Sequence, residues 1–102
     1  MAMINATKVV AVAGTREPLT VGSVLVKQVV IQVLSTNTGK VYIGDNTVVA
    51  TVAIELGFPI SGVLLPSIRM RPVSVTSSLD LHDLYIDVSV SGEGVQIFYE
   101  PF

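Results

Sequence analysis

The longest apolar stretch of the sequence, residues 24–34, alternates with the period of two that is typical of a β-strand. We predict that one face of this strand lies in the core, and that it consists of Lys27, Val29, Ile31 and Val33. The opposite face is predicted to be half exposed. Val, Ile and Thr make up 35 of the 102 residues, and their β-branched side chains favour pleated sheets. Because no stretch of comparable length has a helical period, we predict an all-β fold.

Further short segments of the same kind follow at intervals of about 8–12 residues, the spacing typical of a sandwich or a small barrel. We predict these strands at residues 8–13, 40–44, 48–56, 69–76, 84–90 and 95–99. Turn-forming residues at 35–39 and 91–94 predict two hairpins, one joining strands 24–34 and 40–44 and the other joining strands 84–90 and 95–99. In the strand 84–90, Ile86, Val88 and Val90 alternate with a more polar face. Residues 1–102 are therefore expected to form one domain.

The composition is too apolar for a monomer whose whole surface faces water. Only 14% of the residues are charged, against roughly 25% in an average soluble domain, and the mean hydropathy is +0.68. A membrane span would need about 20 consecutive apolar residues, and Lys27, Gln28 and Gln32 interrupt the most apolar stretch. The surplus apolar surface is expected to contact another protein chain.

Charge and sequence motifs argue against several other roles. A net charge of -2 and a pI near 5.1 lack the basic footprint that nucleic acids require, so no nucleic-acid partner is expected. The first eight residues lack the pattern of a secretory signal, so we expect a protein that is made and assembled in the cytoplasm.

The sequence offers little for catalysis or metal binding. It contains no cysteine and a single histidine, His82, which we expect to be an ordinary exposed loop residue. The carboxylates of Asp80, Asp83 and Asp87 follow no calcium-loop pattern and are expected to cap turns. We therefore expect no enzymatic activity, no metal site and no cofactor.

Five segments, taken in order, resemble small structural proteins of tailed bacteriophages. They are VVIQ at residues 29–32, NTGKVYIGD at 37–45, GVLLP at 62–66, LHDLYI at 81–86 and GV at 94–95. The resemblance extends from about residue 29 to residue 99. It implies a virion protein, most plausibly a cement protein that decorates the capsid, with an antiparallel β-sandwich or jelly roll of about seven to eight strands. It further implies a homo-oligomer, often a trimer, bound to the major capsid protein or another virion protein.

Under this hypothesis, apolar residues near both ends of the sequence are the expected subunit interface. Residues 1–13 would form an arm on a neighbouring subunit, with Met3, Ile4 and Val9 as contacts, and Phe102 would be buried in a partner. The alternatives are an ordinary first strand in the domain's own sheet and a frayed terminus at Phe102.

Two other functions remain open at this stage. A phage tail, neck or fibre module would have the same fold and the same lack of chemistry. A carbohydrate-binding module would use aromatic platforms, for which Tyr42, Tyr85 and Tyr99 are the candidates. Grouping of these three rings on one exposed face would favour that module, and their burial would argue against it.

Overall fold

The structure, a computed structural model, describes residues 3–46, 54–57, 66–72 and 78–102. These residues form nine β-strands and one 3₁₀ helix, which confirms the predicted all-β fold. In chain order the strands are β1 (Ile4–Val9), β2 (Glu17–Pro18), β3 (Leu25–Val33), β4 (Val41–Gly44), β5 (Ile54–Leu56), β6 (Ser67–Met70), β7 (Leu79–Asp80), β8 (Tyr85–Val88) and β9 (Gly94–Pro101). The 3₁₀ helix (Leu81–Asp83) lies between β7 and β8.

The strands form two antiparallel sheets with a nested order of pairing. Sheet A has the order β1-β9-β3-β6, and β7 pairs with the beginning of β3. Sheet B has the order β2-β8-β4-β5. Thus β4 pairs with β5, β3 with β6, β2 with β8, and β1 with β9. This is the strand order of a jelly roll, an antiparallel sandwich of two sheets.

The core lies between the two sheets and consists of aliphatic side chains. The alternation of each strand directs every second residue inward, and cross-strand pairing aligns these residues in rows such as Ala6, Ile97, Ile31 and Ile68. Ile31 and Ile97 of sheet A are almost completely buried, as is Ile43 of sheet B. Each such side chain stabilises the fold by about 1.5–3 kcal/mol relative to an exposed one.

A β-bulge inverts the predicted faces at the beginning of β3. The register of β3 against β9 shifts between Val26 and Gln28, so the alternation changes phase at Lys27. Val26 is fully buried and Lys27 is exposed, so the predicted core position of Lys27 is wrong. From Val29 to the end of β3 the predicted core face is confirmed.

Both predicted hairpins are wrong, because each turn carries the chain from one sheet to the other. β3 belongs to sheet A and β4 to sheet B, while β8 belongs to sheet B and β9 to sheet A. Among the described strands, only β4 and β5 are both consecutive and paired with each other. Gly- and Asn-rich segments stabilise such crossings as well as hairpin turns, so the composition of a turn does not distinguish the two.

The first strand begins earlier than predicted. β1 covers residues 4–9 rather than 8–13, and Val10 follows it as a fully buried residue whose amide donates to the carbonyl of Glu93 at 3.0 Å. β1 pairs along its whole length with β9 of the same chain. Contact of residues 1–13 with a neighbouring subunit stays a prediction.

Several other boundaries also differ from the predictions. Of the predicted strand 48–56, the structure describes only residues 54–56, which form β5. β6 ends at Met70, two residues before Pro72, and residues 73–76 of the predicted strand lie outside the described residues. β8 ends at Val88, so Val90 lies outside the strand and is exposed. Asp87, predicted to lie on the polar face, is buried.

The two crossings between the sheets are joined to each other by Glu93 and Asn37. The Glu93 carboxylate accepts hydrogen bonds from the Thr38 amide (2.6 Å), the Thr38 hydroxyl (2.9 Å) and the Gly39 amide (2.9 Å). The buried Asn37 amide nitrogen donates to the carbonyl of Gly94 at 2.8 Å. Desolvation raises the pKa of Glu93, but these hydrogen bonds outweigh it and leave the pKa below its ordinary value. We call this arrangement of residues 37–39 and 93–94 the crossing clamp.

An ion pair joins the two sheets at the edge formed by β1 and β2. Lys8 and Glu17 both lie on the core-facing side of their strands, and Lys8 Nζ donates to Glu17 Oε1 at 2.8 Å. This hydrogen bond lowers the pKa of the Glu17 carboxyl. The pair therefore bridges the open side of the sandwich, and the Lys8 ammonium points inward between the sheets.

Gly94 has no room for a side chain, which gives a first prediction. A Cβ atom placed there would lie 1.9 Å from the Lys8 carbonyl oxygen and 2.7 Å from Val9 Cα. We expect Gly94→Ala to lower the free energy of unfolding by about 2–3 kcal/mol, because β1 must move away from β9. Gly22→Ala is the control, since no atom lies within 4 Å of its Cβ position, and it should change stability by less than about 0.5 kcal/mol. Equal urea midpoints for the two variants would contradict this packing.

The crossing clamp also predicts a pH dependence of stability. Because folding lowers the pKa of Glu93, the carboxylate stabilises the fold above its ordinary pKa of 4.5, and this contribution is lost as the pH falls through the folded-state value. Glu93→Gln should lower the free energy of unfolding by about 1–2 kcal/mol at neutral pH. Below pH 4.5 the difference from the wild type should shrink.

Chemical denaturation at neutral pH and at acid pH measures this effect. Glu100→Gln is a matched control, because the Glu100 carboxylate has only a long contact of 3.5 Å with the Gln28 amide. A loss of stability in Glu93→Gln that is independent of pH would show that the charge of the clamp is not what stabilises the crossings.

Candidate assembly surface

The outer face of sheet A is the broadest regular surface in the described part of the chain. Residues that pair directly across antiparallel strands lie on the same face, so the register defines this surface. Its twelve members are Asn5, Thr7, Val9, Gln28, Val30, Gln32, Ser67, Arg69, Gly94, Gln96, Phe98 and Glu100. We call these residues the outer face of sheet A.

This face carries very little charge. Of the twelve residues only Arg69 and Glu100 are charged, and Phe98 and Val30 lie side by side near the middle of the face. The exposed Lys27 adds one charge at the bulge, next to Gln28. A row of uncharged polar side chains crosses all four strands next to them, and its members are Thr7, Gln96, Gln32 and Ser67. Depletion of charge around an aromatic centre is characteristic of protein interfaces.

The polar members of the face have few bonds with one another. The Thr7 hydroxyl donates to Gln96 Oε1 at 3.1 Å, and Gln28 Nε2 lies 3.5 Å from Glu100 Oε1. Amide side chains carry several donor and acceptor sites each, so these residues could form further hydrogen bonds with a partner. The arrangement can serve adhesion between protein chains.

An exposed apolar group extends this face at one end of the sheet. The Phe102 amide donates to the Leu25 carbonyl at 3.1 Å, so these residues are adjacent, and their exposed fractions are 57% and 49%. Met3 precedes β1 at the same end and is 43% exposed. Clustering of exposed apolar side chains is a mark of an interaction site, whereas single ones are ordinary.

The predicted interface residues are all exposed, but they do not lie on one face. Val9 belongs to the outer face of sheet A, whereas Ile4 pairs with Tyr99 and points toward the core side. Ile4 is nevertheless 44% exposed. Sequence reasoning missed Phe98 and Val30. Each lies on the more solvent-exposed face of its strand, and only the pairing register shows that the two side chains are neighbours.

Sheet B presents a different outer surface. Its outward positions include Tyr42, Asp87 and Glu55, which form one cross-strand row. Tyr42 and Asp87 are buried, and the Gly14 amide donates to Asp87 Oδ1 at 2.9 Å. The loop after β1 thus covers part of this face with the protein's own chain.

The three tyrosines do not form one platform. Tyr42 is 9% exposed and Tyr85 is partly buried, both in sheet B, whereas Tyr99 packs against the core from sheet A. Tyr42 and Tyr99 therefore lack the exposed rings that stacking against a sugar would need. A carbohydrate-binding module would need the three tyrosine rings grouped on one exposed face, so this arrangement argues against that alternative.

Two open polar depressions meet at Tyr85. One, of about 460 Å³, is lined by residues that include Arg16 and Asn46, and the other, of about 450 Å³, includes His82 and Asp83. His82 Nδ1 lies 2.9 Å from the Thr20 carbonyl oxygen, and the residue is partly buried, so the prediction of an exposed loop residue is wrong.

The predicted turn caps are confirmed at one position only. The Asp80 carboxylate accepts from the Ser23 hydroxyl at 2.5 Å and from the amides of Val24 and His82 at 3.0 Å each. The hydrogen bond from Ser23 is the main cause of the lowered pKa of Asp80. Asp87 instead lies within β8, where its carboxylate accepts from the amides of Gly14 and Val88.

Searches for a metal site and a membrane helix were negative for the described residues. Within residues 3–46, 54–57, 66–72 and 78–102, no group of three His, Asp or Glu side chains could hold a metal ion. In the same ranges, no helix is both long enough and apolar enough to cross a membrane.

Comparison of the chain with protein-family models, with curated proteins and with solved structures found no match in any of the three.

Proposed function

We propose that this protein is a non-enzymatic structural component of a virion, which stabilises a phage capsid as a cement protein. In this role the outer face of sheet A packs against the major capsid protein or another virion protein. The protein would be assembled into the particle in the host cytoplasm. The observation that carries the proposal is the nearly uncharged outer face of sheet A, with Phe98 and Val30 at its centre.

The chemistry of this face supports packing against protein. Only two of its twelve residues are charged, so few charged groups of this face would lose their hydration when a partner packs against it. The polar row beside Phe98 can donate and accept hydrogen bonds without a net charge, which suits the rim of a protein interface. The face is therefore in keeping with the low charge content of the sequence.

The assignment to a phage particle rests on the resemblance of residues 29–99 to small phage structural proteins. A jelly roll is compatible with it, since viral capsid proteins use this fold, but so do lectins and cupins. A tail, neck or fibre module would use the same outer face and remains the alternative. The residues of the outer face thus support a protein-binding surface, whereas the kind of particle rests on the resemblance alone.

Binding to capsid shells tests the proposal. Purified protein is mixed with empty shells of the virus whose genome encodes it, and co-sedimentation and the temperature of shell rupture are measured. We expect the wild type to sediment with the shells and to raise the rupture temperature. Phe98→Lys should weaken binding at least about 30-fold, because it places a charge at the centre of the interface.

Val21→Lys is the matched control for this variant. Val21 is 96% exposed and lies in the loop before β3, away from the outer face of sheet A. It receives the same new charge and should bind as the wild type does. Failure of the wild type to bind shells would overturn the capsid role, and binding to isolated tails would favour the alternative. Equal binding by both variants would overturn the assignment to this face.

A further inference from the structure

Within the described residues five strands lie at the edges of the two sheets, and four of them carry features that prevent pairing with another chain. One of the four, β7, has only two residues, including Asp80. Edge strands expose unpaired backbone groups, and proteins protect them with proline, charge or short length. β2 has two residues including Pro18, and β5 has three residues including Glu55. β6 has four residues, carries Arg69 and lies between Pro66 and Pro72.

β1 is the longest of these edge strands and has the fewest protections. It has six residues without proline, and its pairing with β9 runs from Ile4 to Val9 without a bulge. Within the described residues, no strand pairs with its other side. Its single charged residue, Lys8, points inward, which is one form of edge protection, but Glu17 pairs with its ammonium at 2.8 Å.

The core-facing side of β1 is also incompletely covered. Ile4 and Ala6 lie on this side, in register with Tyr99 and Ile97, yet both are exposed. Ile4 is 44% exposed. The strand thus offers both free backbone groups and an uncovered apolar strip.

We infer that β1 pairs antiparallel with β1 of a second copy of this chain, which continues sheet A across a two-fold axis. An axis that exchanges two antiparallel strands stands perpendicular to the sheet, so each residue keeps its face. The Ile4 and Ala6 side chains of both copies then lie on the same side and cover one another. A second copy of β1 brings its own Ile4 and Ala6 to cover those of the first, whereas an unrelated strand would need apolar residues at the matching positions.

The residues of β1 are compatible with pairing against themselves. With Ala6 on the axis, Ile4 lies opposite the aliphatic stem of Lys8 in the second copy, and Asn5 lies opposite Thr7. The two Lys8 residues are then four positions apart, about 13 Å along the strand. This exceeds the Debye length of about 8 Å at physiological ionic strength, so their repulsion is largely screened.

The pairing would join two copies of sheet A into one continuous sheet and place their outer faces side by side. It does not depend on the proposed capsid role. It predicts an even number of copies, in contrast with the trimer that the resemblance implies. Light scattering of the wild type should give twice the 10.8 kDa of one chain.

A cysteine scan tests the pairing directly, because the chain has no cysteine of its own. Asn5→Cys, Ala6→Cys and Thr7→Cys are oxidised separately under mild conditions, with Val21→Cys and Thr36→Cys as exposed loop controls. Only the residue on the axis faces itself, at a Cβ separation close to that of a disulfide. We expect one β1 variant to form at least about ten times more covalent dimer than the controls. No excess at any of the three positions would overturn the inference.

A charge at the axis provides a second, independent measurement. Ala6→Lys should reduce the mass in solution to that of one chain, because two ammonium groups would meet at the contact, while Thr36→Lys should leave the dimer mass unchanged. The unfolding midpoint of Ala6→Lys should stay near that of the wild type, since Ala6 is exposed. Dimer mass in Ala6→Lys would overturn the inference. Phe98→Lys combined with Ala6→Cys should still form the covalent dimer through β1, so failure of shell binding and failure of edge pairing are distinguishable.

Discussion

Hydrogen bonds from the Asn37 side chain and to the Glu93 carboxylate hold together the two places where the chain passes between the sheets. The flanking strands bring the segments after β3 and after β8 together, since Val33 pairs with Val95 and Val41 with Val88. The side chains of Asn37 and Glu93 then join the segments themselves. The crossing clamp fixes both segments at once, with a carboxylate on one and an amide on the other. The close approach of β1 to Gly94 depends on the same site, because Gly94 receives the Asn37 hydrogen bond and lies against the Lys8 carbonyl. The clamp and the pairing of β1 with β9 therefore share one residue, Gly94.

The few charged residues of the chain are used largely within the fold. Lys8 and Glu17 bridge the sheets, Lys40 and Glu55 pair at 3.1 Å on sheet B, and the carboxylates of Asp80 and Glu93 accept backbone hydrogen bonds. The outer face of sheet A is consequently left with only two charges. The sequence has few charged residues, and most of them form contacts in the loops and at the sheet edges. Few are therefore left for the outer face of sheet A.

Alternation predicted the strands that are long and regular, but not their partners. The core positions from Val29 onward follow directly from the period of two, and so does the inward position of Ile86. The bulge at Lys27 could not be predicted, because it depends on the register against β9, some 70 residues later in the chain. The two hairpin predictions were wrong for the same reason. Asn and Gly favour a connection between sheets as much as a hairpin turn, and only the strand pairing distinguishes the two.

The candidate surface could be predicted only in part, for a related reason. Met3, Ile4, Val9 and Phe102 are apolar in sequence and exposed in the structure, so composition was sufficient to identify them. Phe98 and Val30 belong to strands far apart in sequence, and their adjacency exists only through the pairing of β3 with β9. An interface formed from paired strands is a property of the register, which no single segment of sequence contains.

The nested pairing of the jelly roll also affects the loss of chain entropy on folding, because each strand pair closes a loop of different length. The pairing of β4 with β5 closes the shortest span of chain, and β3 with β6, β2 with β8 and β1 with β9 close successively longer ones. The span from Val9 to Gly94 is about eight times that from Gly44 to Ile54, roughly three doublings, so closing it in a free chain costs about 2 kcal/mol more. If the inner pairs form first, each outer pair closes a loop already shortened by the one inside it. By loop-closure entropy alone, pairing from β4 and β5 outward is the least costly route, and in that order β1 would join its sheet last.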